Sequence, residues 1–535
     1  MFESLCTFLV KRGAKIVSLL PETNGTTNTA FTNPSILSEK DGMTVLLRSV
    51  NYAMHHNNST LWNSPYGPVS YDHPDNDPSL RTENYLCRIN GDGELDSSTL
   101  TRVEYMPYEP KWLFVGEEDA RLVGWDGSLS LIGCRRDTDK LGTSRMEIST
   151  LDGNRKTEVS RKRMPSTAET YCEKNWMPVL DEPYTFVRTA NPLEIVRFDP
   201  ESGNTETVLT KGATGNIGFL RGSSQVIKAE GKRMALVHET QLWKTPQEER
   251  NAVYTHRFII WDDEWNVERI SIPFTFLSFD VEFSCGLAYR DGKLYIPFSV
   301  YDNAPFMLIA DFGDVMEFID RKKACKPKAP KDISPLTAIA LDNRDPQTLY
   351  EIGLDYFTAR HYHAAHAFFL RCADVCALDK PDYFKLGYDA FYMVGKCILS
   401  IGGRKRKAAG MLPQLIDWDS TRYEAYYELS KLYYGAEDNL GDHNTALAFA
   451  KLAMECAARC VLPLTGCICD ETETRDEIEL QYLVCALRGN RTPAETRKRL
   501  ERLARHAHRP VAEAAVKLLG AKTDGQARRN SDSYK

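Results

Sequence analysis

The chain has 535 residues, too many for one ordinary core, with 42% apolar and 26% charged side chains. Its net charge is −7, so bulk electrostatics gives no support to a nucleic-acid or membrane-surface partner. No run of about 18 apolar residues marks a membrane span.

The first 21 residues, MFESLCTFLVKRGAKIVSLLP, lack the basic-then-apolar order and cleavage site of a secretory signal. Residues 1–40 are Ser/Thr/Asn-rich and are expected to form an N-terminal extension. From 41 to 320 short Val/Ile/Leu/Phe/Tyr runs alternate with turn signals: Asp126-Gly127, Asp152-Gly153-Asn154, Ser202-Gly203-Asn204, Glu230-Gly231, Asp262-Asp263 and Asp291-Gly292. Most of these turns lie roughly 25–32 residues apart, the rhythm of a hairpin plus a connector. Two hairpins make a four-stranded sheet, and about five such sheets fill the segment. That predicts a five-bladed β-propeller; a large β-sandwich would leave the spacing accidental.

Residues 321–345, rich in Lys and Pro at their start, read as a linker. From 346 to 520 the period becomes helical. Gly353, Gly395 and Ser430 recur as small positions, and Tyr362-His-Ala-Ala365 matches Asn444-Thr-Ala446, a pattern that resembles tetratricopeptide helix pairs. Thr492 with Glu495 forms a capping-box pair. Residues 521–535 read as a disordered tail. The fold class is thus multidomain β + α, a propeller followed by tetratricopeptide-like repeats.

The 14 cysteines are scattered, as expected for reduced thiols in a cytoplasmic protein. The sequons at Asn24, Asn57, Asn58 and Asn490 then carry no glycan. Cys456 and Cys460, or Cys467-Ile-Cys469, offer thiolates, but no histidine or second CxxC has metal-site spacing. Asp137-x-Asp139 reads as loop chemistry. Neither a metal nor another cofactor is expected.

Polar residues of the β half collect beside apolar runs, in segments such as LLRSVNY, GEEDARL, CEKNWMP, ANPLEI, LVHE, YTHRFIIWD and VYDNA. In a propeller such strand ends converge on the central axis. They bring carboxylates (Glu117, Glu118, Asp119, Glu173, Glu239, Asp302), cations (Arg48, Arg121, Lys174, Arg221, Arg257) and histidines (His238, His256). Amides and aromatics join them: Asn51, Asn175, Asn191, Trp176, Tyr254 and Tyr301. Polar forks suit hydroxyls, aromatic faces suit sugar C–H edges, an acid suits a glycosidic oxygen, and cations suit a donor phosphate.

The Glu118-Asp-Ala-Arg121 string, followed by an Asp-Gly turn, resembles the Glu-Asp-Pro-Arg motif of five-bladed-propeller mannoside phosphorylases and related β-mannosyltransferases. The wider set R-x-V-N-Y, E-K-N-W-x-P, N-P-x-x-I, R-G-S, H-E, Y-x-H-R-F and Y-x-D resembles glycosyltransferases built on that propeller. Ala120 departs from the motif's proline. The resemblance implies an inverting glycosyltransferase using an activated, phosphate-containing donor, with Asp119 as principal catalytic carboxyl beside Glu118. Glu239 and Glu173 are the available bases for a hydrolase. Arg121, Lys174, Arg221, His256 and Arg257 are then expected on donor phosphate, and Asn51, Asn175, Trp176, His238 and Tyr254 on sugar. Arg48, Asn191, Tyr301 and Asp302 complete the expected site.

Structural readings stand beside these. On an extended strand Tyr254, His256 and Phe258 share one face and Arg257 takes the other, so His256 can be a packed core residue and Arg257 can pair with a sheet-edge acid. Trp176 can wedge between blades. GRKRKAAG (403–410) reads as a solvated helix start rather than a nucleic-acid site. Partners expected are a nucleotide sugar or sugar phosphate, a carbohydrate or glycosylated acceptor, and a protein partner through the repeats. A glycoside phosphorylase or hydrolase, or a non-catalytic scaffold, remains an alternative.

Overall fold

In the computed structural model, the described residues are 3–22, 29–56, 69–215, 217–244, 250–320, 334–378, 383–435, 440–459, 471–488, 493–505 and 510–519. The four sequon asparagines, linker residues 321–333, Cys460, Cys467, Cys469, Thr492 and the 521–535 tail lie outside them. The chain divides into two units, residues 1–379 with 400–403, and residues 380–399 with 404–535.

The first unit is a propeller-like succession of sheets, and the expected turns close its hairpins. Asp126 and Gly127 are both left-handed (φ 51° and 74°) between strands Glu118–Trp125 and Ser128–Arg135. Asp291 and Gly292 repeat that geometry (φ 50° and 75°) between Ala288–Arg290 and Lys293–Val300. Turns with two left-handed residues match the twist of paired strands, which is why Asp-Gly marks them.

The first sheet runs Ala30–Glu39, Gly42–Val50, Leu80–Ile89, Leu95–Arg102. The second runs Glu118–Trp125, Ser128–Arg135, Arg145–Leu151, Glu158–Arg163. The third runs Met177–Pro178, Thr185–Ala190, Leu193–Phe198, Thr205–Lys211. A fourth, seven-stranded sheet is built on Lys232–Lys244 and Arg250–Trp261. In the fifth, Lys293–Val300 and Ala304–Asp311 are completed by Lys15–Ser18, which pairs antiparallel with Ala304–Asp311. Counted as meanders of four consecutive strands, the blades number four rather than the expected five, because the last sheet borrows its outer strand from the chain's start.

Apolar faces of neighbouring sheets meet in seams. Leu46 and Leu86 pack with Leu122 and Leu131. Ile132 and Ile148 pack with Phe186 and Val196, and Val187 and Ile195 with Val237 and Ile259. Phe276 stacks on Phe298 at 4.4 Å. Val45 and Leu47 of the first sheet meet Met307 and Ile309 of the fifth. Each such side chain contributes roughly 1.5–3 kcal/mol by leaving water.

The expectation of an unpatterned extension over 1–40 is corrected. It holds a helix, Leu5–Val10, capped by Ser4, and three strands of the sheets, Glu3–Ser4, Lys15–Ser18 and Ala30–Glu39. Its Ser, Thr and Asn residues hid the strand Ala30–Glu39 because they face a polar interior: Thr32, Asn33 and Ser35 are all buried. The helical boundary at 346 is also corrected. Pro346–Thr358, opened by the Asp345 cap, and Tyr362–Leu378 belong to the first unit, where Phe368 packs on Phe279 and Phe306. Gly353 is the small position that admits Phe369, since a Cβ there would fall 2.7 Å from the ring.

The second unit is helical, including Phe384–Ser400, Lys405–Trp418, Glu424–Tyr434, His443–Arg459, Glu471–Arg488 and Pro493–Leu503. Gly395 admits Met411 in the same way, and Lys396 pairs with the buried Glu428 at 2.7 Å. Lys405 does begin a helix, but Arg404 before it is buried rather than solvated. Among the described residues, no helix is long and apolar enough to cross a membrane.

Candidate active site

The innermost strands of the first two sheets carry the same irregularity. Register shifts between Thr32 and Ser35, where Asn33 is left-handed (φ 41°), and between Glu118 and Arg121, where Asp119 is left-handed (φ 49°). A regular strand sends consecutive side chains to opposite faces; a bulge suspends that alternation. Glu118 and Asp119 therefore both line one cavity of about 250 Å³ in the first unit. Asn175 (φ 65°) and Asp302 (φ 51°), also left-handed, line it from the third and fifth sheets. Each left-handed residue costs roughly 1 kcal/mol, least for Asn and Asp.

Asp119 is a held anion. Its carboxylate accepts from Arg48 Nη1 at 2.7 Å and from Asn33 Nδ2 at 2.8 Å. Burial alone would push its pKa up; the charges of Arg48, Lys174 and Arg121 outweigh burial and hold it at about 2. Arg48 is itself fixed by Thr82 and Tyr52, both at 3.2 Å, and Tyr52 donates to Asp302 at 3.0 Å.

Glu118 is the opposite case. Its carboxylate makes no hydrogen bond or ion pair with any described residue, and burial raises its pKa against the pull of Arg48 and Lys174. Burial raises Asp302 as well. Two adjacent carboxyls driven in opposite directions separate a proton carrier from a fixed charge. Lys174 and Arg221 line the cavity without an ion-pair partner among the described residues. Burial would lower Lys174, but Asp119 and Glu118 keep it protonated. His238, bonded to Ser223 at 3.0 Å and stacked on Tyr254, is kept neutral by burial, with His256 and Arg221 adding to the effect.

Of the expected residues, Arg48, Glu118, Asp119, Lys174, Asn175, Arg221, His238, Tyr254 and Asp302 converge on the cavity. The others do not line it. His238, Thr240 and Leu242 alternate into the cavity, so Glu239 faces the other side, where it pairs with Arg257 at 2.7 Å. That pair is the sheet-edge reading of Arg257. His256 is enclosed by Phe274, Phe276 and Phe283, and burial lowers its pKa to about 3. Trp176 is buried against Phe186 and donates to Glu173, which Arg188 also holds at 2.6 Å. Asn51 bridges Ser79 and Arg81, while Asn191 bonds Thr214, Ile217 and Gly218; both tie down loops. Tyr301 packs on Phe279.

Arg121 is fully buried beside the cavity rather than in it. It donates to Ser223 O at 2.8 Å, to Asn175 Oδ1 at 3.2 Å and to the backbone oxygen of Asp119, bracing two cavity residues. Glu117 turns into the second sheet, 3.7 Å from Arg135, which also meets Glu147 at 3.4 Å.

Sequence reasoning missed Asn33, Tyr52, Tyr71, Phe114, Thr240 and Phe283 as cavity residues. Tyr52 ends the RSVNY string and was within reach; Asn33 had no signal beyond its composition. Among the described residues, no group of three or more His, Cys, Asp or Glu side chains is placed to hold a metal.

No family model matches this chain, and no curated protein matches it. Solved structures similar to it include a β-1,2-mannobiose phosphorylase from Listeria innocua. Identity there is 14% and the TM-score 0.36, over 60% of this chain and 99% of that one. A mannose phosphorylase from Leishmania mexicana shares 13% identity at a TM-score of 0.33, over 59% and 93%. A GDP-Man-dependent mannosyltransferase from the same organism shares 13% at 0.34, over 56% and 90%. Likeness at these TM-scores carries no argument, so the site is read from its own residues.

Proposed function

We propose that this chain is an inverting glycosyltransferase that moves a sugar from a phosphate-containing donor to a hydroxyl acceptor. The ring is read as a five-bladed propeller whose last blade is closed by Lys15–Ser18. The helical pairs are read as tetratricopeptide-like repeats that bind acceptor or protein partner. The observation that carries the proposal is the adjacent carboxyl pair, Glu118 protonable and Asp119 ionised, in a cavity with the cations Lys174 and Arg221, which pair with no acid among the described residues.

In transfer, Glu118 takes the proton from the acceptor hydroxyl as that oxygen attacks the anomeric carbon. The donor phosphate leaves with the bonding electrons, onto Lys174 and Arg221. In the reverse sense Glu118 returns the proton to the glycosidic oxygen while phosphate attacks. Asp119 stays charged throughout, faces the positive charge that develops on the sugar ring, and keeps Arg48 and Asn33 in place. This reassigns the proton carrier from Asp119, the residue the resemblance implies, to its neighbour.

A second reading, phosphorolysis, is favoured by size. A cavity of about 250 Å³ is at or below the low end of small-molecule sites. It suits a sugar 1-phosphate better than a whole nucleotide sugar. Incubating the protein with nucleotide sugars and, separately, sugar 1-phosphates, each with mono- and oligosaccharide acceptors, tests both readings. Nucleotide release supports transfer and phosphate release supports phosphorolysis run backwards. No release from any donor would contradict both.

A further inference from the structure

Beside the cavity stands a platform to which the proposed reaction gives no role. Phe114 lines the cavity, and Leu113 before it is 52% exposed. The Arg136 guanidinium lies over the Phe114 ring at 4.7 Å and the Tyr171 ring at 5.5 Å. It donates to Gly142 O at 3.1 Å and to the Tyr171 hydroxyl at 3.2 Å, and that hydroxyl donates to Leu141 O at 2.9 Å. Tyr171 is nonetheless 53% exposed and Leu141 71%. An exposed tyrosine ordinarily swings freely; this one is pinned at its hydroxyl and flanked by a cation, with more than half its surface in water.

The chemistry selects the occupant. Arg136 is stacked between two rings and already donates to two oxygens, which makes it a poor ligand for a phosphate. Aromatic and aliphatic faces with few free charges fit the C–H face of a neutral pyranose. The platform is also continuous with the cavity, since Phe114 lines the cavity and carries the Arg136 guanidinium on its ring.

We propose that the Phe114–Arg136–Tyr171 rim, with Leu141, is the acceptor subsite, holding a pyranose unit of an oligosaccharide outside the cavity. The inference rests on the carbohydrate reading above. It assigns the two substrates to different residues, with donor phosphate at Lys174 and Arg221 and acceptor sugar at Tyr171.

Binding tests it without turnover. Full-length Glu118→Gln protein is titrated with gluco-, manno- and N-acetylglucosamine oligosaccharides of two to four units, alone and with Tyr171→Ala or Tyr171→Trp added. At least one oligosaccharide should bind. Tyr171→Ala should weaken it about tenfold or more, and Tyr171→Trp, which restores an aromatic face, by less than about threefold. Equal affinity in Tyr171→Ala, or no oligosaccharide binding at all, would overturn the subsite. Failure of the proposed reaction would show separately, as a lack of donor turnover in the wild-type protein.

Discussion

Asn33 and Asp119 meet at 2.8 Å, each left-handed and each at the bulge of its sheet's innermost strand. Two neighbouring sheets thus use the same backbone device to turn a polar side chain inward. One of those side chains fixes the other.

Removing that donor tests the relationship. Asn33→Ala removes one of the two donors to Asp119 Oδ1 and leaves Arg48 as the other. A lost hydrogen bond to a charged group is worth about 1.5–3 kcal/mol, so kcat/KM should fall roughly 10- to 100-fold. Asn33→Asp should be worse, because it sets a second anion against Asp119. Steady-state kinetics on a variant with an unchanged far-ultraviolet spectrum decides, and wild-type activity in Asn33→Ala would remove Asn33 from the site.

The Glu239–Arg257 pair faces away from the cavity, so its loss should spare chemistry. Glu239→Gln is expected to keep turnover within about threefold and to cost about 1 kcal/mol of stability or less, as for other partly exposed ion pairs. A hundredfold loss of turnover in Glu239→Gln would restore it as a base.

Lys174 and Arg221 are expected to set affinity for the phosphate end. Lys174→Met should raise the donor KM about tenfold or more and weaken its dependence on ionic strength, with a smaller change for Arg221→Met because Arg221 is the more exposed. Donor titrations at two salt concentrations measure this. An unchanged KM in both variants would place the phosphate elsewhere.

Glu117 predicts a pH dependence of stability. Burial lifts its carboxyl to about 7 from an ordinary 4.5. Between those values the folded protein keeps a proton that the unfolded chain releases. Stability therefore falls as pH rises through that window, by something on the order of 3 kcal/mol. Glu117→Gln carries no such proton and should flatten the Tm profile from pH 4.5 to 7. Parallel profiles for the two proteins would show that Glu117 ionises normally.

Much of the fold was legible because turns and period carry it. Asp126-Gly127 and Asp291-Gly292 closed hairpins for a local reason, and local reasons survive in sequence. Ala30–Glu39 was not legible, since its polar residues face a polar interior and a strand read for apolar alternation disappears there. At the site, Glu118 and Asp119 were legible as a motif. The bulge that lets both face the cavity was not, nor was the split of their pKa values, which depends on Arg48 and Asn33 from another sheet. Glu239 and Arg257 were misplaced for the converse reason. They sit next to His238 and His256 in the chain, and in a strand the next residue faces the other way. Asn51 and Asn191 were misplaced because an amide beside a turn can tie down its loop as readily as it can bind a ligand.

The central claim is that Glu118, not Asp119, carries the proton. The direct measurement is kcat/KM against pH in the phosphate-consuming direction for wild type, Glu118→Gln and Asp119→Asn. Wild type should lose activity as pH rises through a value above a glutamate's ordinary 4.5. Glu118→Gln should fall about 10²- to 10⁴-fold and lose that limb, while Asp119→Asn, though slower, should keep it. A limb that persists in Glu118→Gln and vanishes in Asp119→Asn would return the proton to Asp119 and contradict the account.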